Sequence, residues 1–257
     1  MPVIQLTDGS TRTYPQAVTA AQVAADISPR LLKQALAAQV DANLVDMSYL
    51  LQQDARLQII TTKDTAGLEV LRHSCAHLLA QAVVELFPGV EVTIGPVIEN
   101  GFYYDFDYER PFTLDDLPVI ERKMRQLVKQ RQVIERHEYS RDDAIALFRR
   151  LGQEYKVQII QSIPADEVLT VYGQGGFLDL CRGPHIPNMQ FLKAFKLTKV
   201  AGAYWRGDSN NRMLTRIYGT AWASQDDLDA YLERVAEAER RDHRVLAKKM
   251  QLFHMQD

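Results

Sequence analysis

GLEVLRHSCAHLLAQAVVELFPG, residues 67–89, decides how this chain is read. Set at helical steps, Leu71, Cys75, Leu78, Leu79, Ala82 and Leu86 gather on one side, and Pro88-Gly89 closes the run, so the spacing predicts one long helix from about Gly67 to Leu86. His73 and His77 fall on roughly the opposite side, with Val70, Ala80 and Val84 as neighbours. Four-residue spacing stacks the two imidazoles on one face, where both can point at one ion or one substrate. A lone histidine pair of this kind is more often incidental than functional, and Cys75, inside the apolar stripe, reads as core.

Upstream of the helix, residues 2–62 read as a compact α/β unit. Val3 to Leu6 is a short strand, Asp8-Gly9-Ser10 a turn, and Thr11 to Tyr14 the returning strand. Thr19 starts a helix with Val23 and Ile27 on one face, and Val40, Leu44-Val45 and Leu57 to Ile60 read as further strands. This order suggests a β-grasp fold, and Thr61-Thr62-Lys63-Asp64 marks a boundary.

Downstream, Val92 and Ile94 lead into Gly95-Pro96, and Glu99-Asn100-Gly101 carries an Asn-Gly hairpin signal. Phe102, Tyr104 and Phe106 then alternate with Tyr103, Asp105 and Asp107. Thr113 with Asp116 opens a charged helix running to about Arg131, and taken over 114–136 this helix carries Arg122, Lys123, Arg125, Lys129, Arg131 and Arg136. Ser140 with Asp143 opens a shorter helix that stops at Gly152. Lys156 to Ile160 and Phe177 to Cys181 read as strands. Ala221 to Met250 reads as a long connecting helix with Leu228, Leu232, Val235 and Ala238 at helical spacing. The fold class is therefore α+β: a small β-grasp (ubiquitin-like) unit at 1–62, a larger α+β unit at 63–224 with an antiparallel sheet around a central helix, and a connector helix at 225–257.

The second chemical feature is Asp179-Leu180-Cys181-Arg182-Gly183-Pro184-His185. On a strand, Phe177, Asp179 and Cys181 share a face, and Gly183-Pro184 can turn His185 back beside Cys181. His-x3-His with Cys-x3-His has the ligand count and types of a zinc site. The third feature is local charge. From Lys193 to Arg216 there are Lys193, Lys196, Lys199, Arg206, Arg212 and Arg216 against a single acid, Asp208, with Phe195, Tyr204 and Trp205 interleaved. Cations beside aromatics suit a phosphate backbone and stacked bases, and equally a solvated sheet face.

Composition sets the outer bounds. With 257 residues, 46% hydrophobic and 25% charged, the chain has the balance of a globular protein. A formal charge of −3 does not by itself advertise nucleic acid. Two distant cysteines, a start without signal-peptide character and no long apolar run lead us to expect a reduced, cytoplasmic protein without a membrane partner.

Several longer strings are distinctive. Arg72-His73-Ser74-Cys75-Ala76-His77, Ile94-Gly95-Pro96-Val97-Ile98-Glu99-Asn100-Gly101-Phe102-Tyr103-Tyr104-Asp105, Cys181-Arg182-Gly183-Pro184-His185, Ala203-Tyr204-Trp205-Arg206-Gly207-Asp208 and Ile217-Tyr218-Gly219-Thr220-Ala221-Trp222 together resemble the editing domain of bacterial threonyl-tRNA synthetases. Residues 1–62 resemble the TGS domain that precedes it. The resemblance implies a cleft lined by His73, His77, Cys181 and His185, with Lys156, Asp179 and Tyr104 at family positions and Gly95 beside the substrate. It implies hydrolysis of mischarged seryl-tRNA(Thr) at the tRNA 3′ end, with the seryl-adenosine moiety as ligand. His73 would position or deprotonate water, Lys156 would stabilise negative charge or hold the ribose, and Asp179 would orient a neighbour or bind the amine. Lys193, Lys196, Lys199, Arg206 and Arg212 would meet tRNA.

Alanyl-tRNA editing proteins hold zinc with a similar His/His/Cys/His set, whereas the threonyl domains are thought to work without it. The expectation is therefore no cofactor for this region, with zinc at His73, His77, Cys181 and His185 as the alternative. A complete synthetase continues into catalytic and anticodon-binding domains, to which its ATP and zinc belong. This chain stops at Leu252 to Asp257, and the long connector favours a fragment whose partner is that catalytic half. Two rivals are a non-catalytic RNA-binding module, since TGS domains also occur outside synthetases, and a zinc-dependent deacylase acting on other aminoacyl esters.

Overall fold

The computed structural model describes residues 1–241. Its first seven strands and two helices build the N-terminal unit: β1 (Val3–Leu6), β2 (Thr11–Thr13), β3 (Val18–Thr19), α1 (Ala20–Ile27), α2 (Pro29–Leu32), β4 (Ala37–Val40), β5 (Asn43–Val45), β6 (Leu50–Leu51) and β7 (Ala55–Ile60). Thr19 caps α1 as expected. Its hydroxyl accepts from Gln22 N–H at 3.2 Å while the Gln22 side chain accepts from Thr19 N–H at 2.8 Å, a reciprocal capping box. The sheet runs β2-β1-β7-β4-β5, with β1 parallel to β7 and the other pairs antiparallel. A parallel pair needs a crossover, and α1 lies on that connection, burying Val23 and Ala24 in one core with Ile4, Ala38 and Leu57. This is the β-grasp arrangement.

The larger part begins with α3 (Thr65–Leu86) and continues through β8 (Glu91–Val92), β9 (Val97–Ile98), β10 (Gly101–Asp107), α4 (Leu117–Lys129), β11 (Ile134–Tyr139), α5 (Arg141–Arg150), α6 (Glu154–Ser162), β12 (Leu169–Gln174), β13 (Phe177–Leu180), β14 (Ala194–Tyr204) and β15 (Met213–Trp222). One antiparallel sheet has the order β14-β15-β10-β8, with β9 also on β10; a second has the order β11-β12-β13. The β9–β10 hairpin turns at Asn100, whose φ of 59° matches its Asn-Gly signal. Gly101 is required there because a Cβ would stand 2.5 Å from the Gly219 carbonyl oxygen. Helix α3 is buried along almost its whole circumference, including Leu71, Cys75, Leu78 and Ala82 on one side and Val70, His77 and Ala80 on the other. It is the central helix, and its histidine face is interior too.

Three local expectations are corrected. Lys156 to Ile160 is helical, within α6, not a strand. Its β-branched residues favour strands in isolation, but Val157 and Ile160, three apart, pack against Ala144, Leu147 and Phe148 of α5, and that contact prevails. The charged helix does not reach Arg136: α4 ends at Lys129, Arg131 takes a positive φ of 54°, and Val133-Ile134 lead into β11. The long connector does not begin at Ala221, which with Trp222 ends β15 and is almost fully buried. Helix α7 (Gln225–Arg240) starts after its cap Ser224, which accepts from Asp227 N–H at 3.2 Å. Of the expected apolar stripe only Leu228 is buried, and the expected helix from residue 242 to 257 lies outside the described residues. Among the described residues no helix is long and apolar enough to cross a membrane.

Candidate functional site

Helix α3 presents His73 and His77 toward the β11-β12-β13 sheet and the loop that leaves β13. Strand β13 delivers Asp179, and the loop delivers Cys181 and His185. Gly183 takes a φ of 71° and lies so close over Tyr172 that a Cβ would fall 1.9 Å from the tyrosine hydroxyl, so only glycine allows this path. Cys181 Sγ sits 3.2 Å from His73 Nε2 and 3.3 Å from His185 Nε2. The imidazole centroids of His73 and His77 lie 4.3 and 4.1 Å from that of His185. One ligand atom from each of His73, His77, Cys181 and His185 lies within 4.8 Å of all the others.

The surroundings set the protonation of this cluster. Ser74 donates its hydroxyl hydrogen to the Val70 carbonyl at 2.8 Å and accepts from Ile186 N–H at 3.0 Å. Its remaining lone pair therefore accepts from His185 Nδ1, 3.0 Å away, which leaves the Nε2 lone pair of His185 facing Cys181. Burial holds all three histidines below the usual histidine range, furthest for His77 and His185, so they are neutral and have lone pairs to give. Burial also pushes the Cys181 thiol up to about 12 in the ion-free protein, although the Gly183 N–H, 3.2 Å from Sγ, favours the thiolate.

Beside the cluster lies a second buried group. Lys156 Nζ approaches Asp179 Oδ1 at 2.5 Å and donates to the Tyr104 hydroxyl at 3.0 Å. Tyr104 in turn donates to Asp179 Oδ2 at 2.6 Å. Lys156, Asp179 and Tyr104 are all at most 2% exposed. His77 Nε2, 3.4 Å from Asp179 Oδ2, joins the two groups. Gly95 lies against the Tyr104 ring, where a Cβ would stand 2.2 Å from a ring carbon. Thus His73, His77, Gly95, Tyr104, Lys156, Asp179, Cys181 and His185 form one contiguous constellation.

The donor set fits a metal. Bond lengths of tetrahedral zinc imply nitrogen-to-sulfur separations of roughly 3.6 Å, close to the two found here. His77 supplies a second test: with its Nε2 directed to Asp179, its Nδ1 is fully buried without a hydrogen-bond partner among the described residues. An orphaned buried polar atom is costly, and this one belongs to a ring whose centroid lies 4.1 Å from that of His185. The expectation that this region needs no metal is therefore corrected. Three imidazoles and a thiol converge with the tautomer and outer hydrogen bonds of a zinc centre. That expectation followed a resemblance where the ligand set itself pointed to zinc.

The basic stretch behaves differently from its sequence. It folds as the β14–β15 hairpin, and much of its charge is paired: Lys196 with Glu121 at 2.9 Å, Arg212 with Asp107 at 2.9 Å and Arg216 with Asp105 at 2.6 Å. Lys199 lies 5.6 Å from the Tyr218 ring centroid and Arg206 lies 5.4 Å from that of Trp205. Lys193 stands apart. With Lys33, Lys63, Lys129 and Arg131 it lines two adjoining recesses of about 170 and 570 Å³ without a lining carboxylate. None of these five cations has an acidic partner within 4.0 Å among the described residues.

Sequence reasoning missed Ser74, Tyr172 and Asp46. Ser74 stands inside the histidine motif but reads as an ordinary helical serine. Tyr172 sits on a strand that the sequence reading did not assign. Asp46 belongs to the N-terminal unit, 139 residues before the His185 amide it contacts, and no local signal marks it.

The TGS domain family matches residues 3–61, and the family described as threonyl and alanyl tRNA synthetase second additional domain matches residues 169–218. Threonine–tRNA ligase of Coxiella burnetii is 60% identical over 256 residues, covering 100% of this chain and 39% of its own length. The threonine–tRNA ligases of Marinobacter nauticus and Hahella chejuensis are 59% and 60% identical over 257 residues, covering all of this chain and 40% of their own. The chain spans about two-fifths of the length of the curated relatives it matches. Along its whole length the chain therefore belongs with the region of the threonyl-tRNA synthetases that carries the TGS domain and the editing-type second additional domain.

Proposed function

We propose that this region hydrolyses the ester of mischarged seryl-tRNA(Thr) and spares threonyl-tRNA(Thr), as the proofreading part of a threonine–tRNA ligase. The units we assign are 1–62 for the TGS domain, 63–224 for the editing domain and 225–257 for the connector. The observation that carries the reading is the contact between two buried groups of different chemistry: the His/His/Cys/His cluster and the Lys156–Asp179–Tyr104 network, joined by His77 and Asp179.

Physical need supports the assignment. Serine is threonine less one methyl, and a missing methyl is worth only about 1–3 kcal/mol of discrimination. A synthetic site that accepts threonine cannot exclude serine strongly, and a second site that excludes the methyl corrects the error. Exclusion needs a wall that does not yield. Tyr104 provides one, its hydroxyl held by Lys156 and Asp179 and its ring stacked on Phe106 with centroids 5.3 Å apart.

His73, His77, Cys181 and His185 would hold zinc. When bound, zinc supplies Lewis acidity toward an ester carbonyl or a water. His73 and Cys181, the half-buried members, would form the side that a substrate meets, and with zinc bound His73 would give its lone pair to the ion. Lys156 places a positive charge where the ester oxygen gains negative charge. Asp179 fixes Lys156 and the His77 tautomer. Gly95 lets the Tyr104 ring pack directly on the backbone and so fixes that wall.

The tRNA would be held by phosphate contacts to Lys193, Lys199 and Arg206, with Lys33, Lys63, Lys129 and Arg131 extending the surface around Lys193. Lys196 and Arg212 contribute less because Glu121 and Asp107 already neutralise them. Deacylation of seryl-tRNA(Thr) and threonyl-tRNA(Thr) by the purified chain tests the reading. Selective loss of the seryl ester supports it. Equal loss of both refutes methyl exclusion, and loss of neither with tRNA bound refutes the assignment of the site.

A further inference from the structure

We infer that the recess between the N-terminal unit and the end of α4 takes a single-stranded segment of RNA, with a base stacked on Phe191 and the flanking phosphates met by Lys33, Lys63, Lys129, Arg131 and Lys193. The inference rests on the reading that this chain handles tRNA, and it adds the form of RNA bound and the residue that takes the base.

Separate stretches of chain meet at this recess. Lys33 closes α2, Lys63 lies in the segment that joins β7 to α3, Lys129 ends α4 with Arg131 just beyond it, and Lys193 precedes β14. Together they line two adjoining hollows of about 170 and 570 Å³. Acidic residues outnumber basic ones in the chain, 33 to 30. Yet no carboxylate lines either hollow, and none of the five cations has an acidic partner within 4.0 Å among the described residues. Gathering like charges without counter-charges is unfavourable in the free protein, and an incoming polyanion removes that repulsion.

Phe191 lines both hollows and is the aromatic among these cations. It stands on a 3₁₀ turn, Met189–Phe191, capped by Asn188, whose side-chain oxygen accepts from Gln190 N–H at 3.1 Å. Met189 and Leu192, which flank that turn's exposed part, are at most 1% exposed, and the Met189 N–H donates to the Gln132 carbonyl at 2.9 Å. The ring is therefore held by anchored neighbours, half-buried against the main core. A fixed ring loses little freedom when a base stacks on it. Duplex RNA offers phosphates but keeps its base faces stacked inside, whereas a single strand offers a phosphate and a free π-face at each nucleotide. An aromatic set among unmatched cations thus favours the single strand. On the β14–β15 hairpin, by contrast, Tyr218 and Trp205 already carry the protein's own Lys199 and Arg206.

The test uses the full chain, its Phe191→Leu and Phe191→Tyr variants and a double variant with Lys33→Gln and Lys193→Gln. Fluorescence anisotropy follows a dye-labelled, unstructured RNA oligonucleotide and a duplex of equal length at several salt concentrations, with adenosine diphosphate as a competitor. Thermal unfolding shows whether each variant is folded. The inference expects the single strand to bind more tightly than the duplex. It expects F191L to weaken the single strand at least about 5-fold and the duplex little, and F191Y, which keeps the ring, to bind like the parent. The double lysine variant should lower the salt slope for the single strand by about 1.4, two phosphates at about 0.7 each. Equal binding of duplex and single strand by the parent, or unchanged single-strand affinity in folded F191L, overturns the inference. Should F191L not fold, the parent's preference and the lysine slope decide it. Adenosine diphosphate competing as well as the unlabelled oligonucleotide would make this a free-nucleotide site and overturn the assignment to RNA. These readouts use uncharged RNA, so they stand or fall separately from ester hydrolysis, which deacylation tests.

Discussion

Replacing Lys156 by Met measures how much the buried network beside the cluster contributes to stability. Lys156 is 2% exposed and Asp179 is 1% exposed, so Lys156→Met keeps most of the side-chain volume and leaves a carboxylate inside the protein without its cation. Breaking a buried pair from one side costs about 3–5 kcal/mol. Asp179 keeps the Tyr104 hydroxyl at 2.6 Å, and a hydrogen bond to a charged group is worth about 1.5–3 kcal/mol, which places the expected loss at the lower end, about 3 kcal/mol. Trp205 is a suitable reporter. It stacks edge-on to Tyr155 with centroids 5.0 Å apart and bonds Gln158 at 3.2 Å, so its fluorescence follows the helix that carries Lys156. At a slope of about 2–3 kcal/mol per molar urea, the midpoint should fall by roughly 1–1.5 M. The double variant Lys156→Met with Asp179→Asn removes both charges and should recover about half of the loss or more, because the penalty is the unpaired charge and not the missing amine. A single-variant midpoint within about 0.3 M of the parent, or losses that simply add in the double variant, would refute this account.

Three further outcomes follow from the same geometry. Elemental analysis of the purified chain should find one zinc per chain, and Cys181→Ala, which removes the only anionic ligand, should bring it to a small fraction of that; unchanged zinc in the variant would show that the metal lies elsewhere. In chelator-treated protein, His77 and His185 are neutral when folded and free to protonate when unfolded, so the unfolded state binds more protons on acidification. Their contribution to stability is complete above about pH 6.5 and lost as pH falls below it; a flat urea midpoint between pH 7 and 5, or an unchanged slope in His185→Gln, contradicts this. Reversing Lys33 and Arg131 together to Glu should weaken tRNA binding across sequences and reduce the salt slope of the binding constant by about 2. The same change at Arg212, already paired with Asp107, should do less, and an equal effect would place the RNA on the hairpin.

How much of this was legible in the sequence depended on whether a residue's signal was local. The Thr19 capping box, the Asn100 hairpin and the Ser140 cap are contained in a few neighbouring residues, and the chain folds there as its local chemistry predicts. The two ligand pairs were visible because each spans only five residues, one on α3 and one in the loop after β13. Lys156 was placed by family likeness but given the wrong backbone, since β-branched neighbours favour a strand until α5 supplies a helical packing partner. The basic stretch misled for the complementary reason. A list of cations carries no record of the acids that the fold sets beside them, and Glu121, Asp105 and Asp107 lie 75, 111 and 105 residues away from Lys196, Arg216 and Arg212.

The same logic decides where the remaining charge can act. A cation already met by a carboxylate gains less from a phosphate, since it must first give up its partner, so the unpaired lysines and arginine around Lys193 are the stronger anion-binding surface despite coming from three separate stretches of chain. There the function proposed follows from cations that the fold leaves without a carboxylate partner among the described residues, and these come from the N-terminal unit together with the larger part. Separating the two should therefore weaken RNA binding, whereas independent modules would retain it.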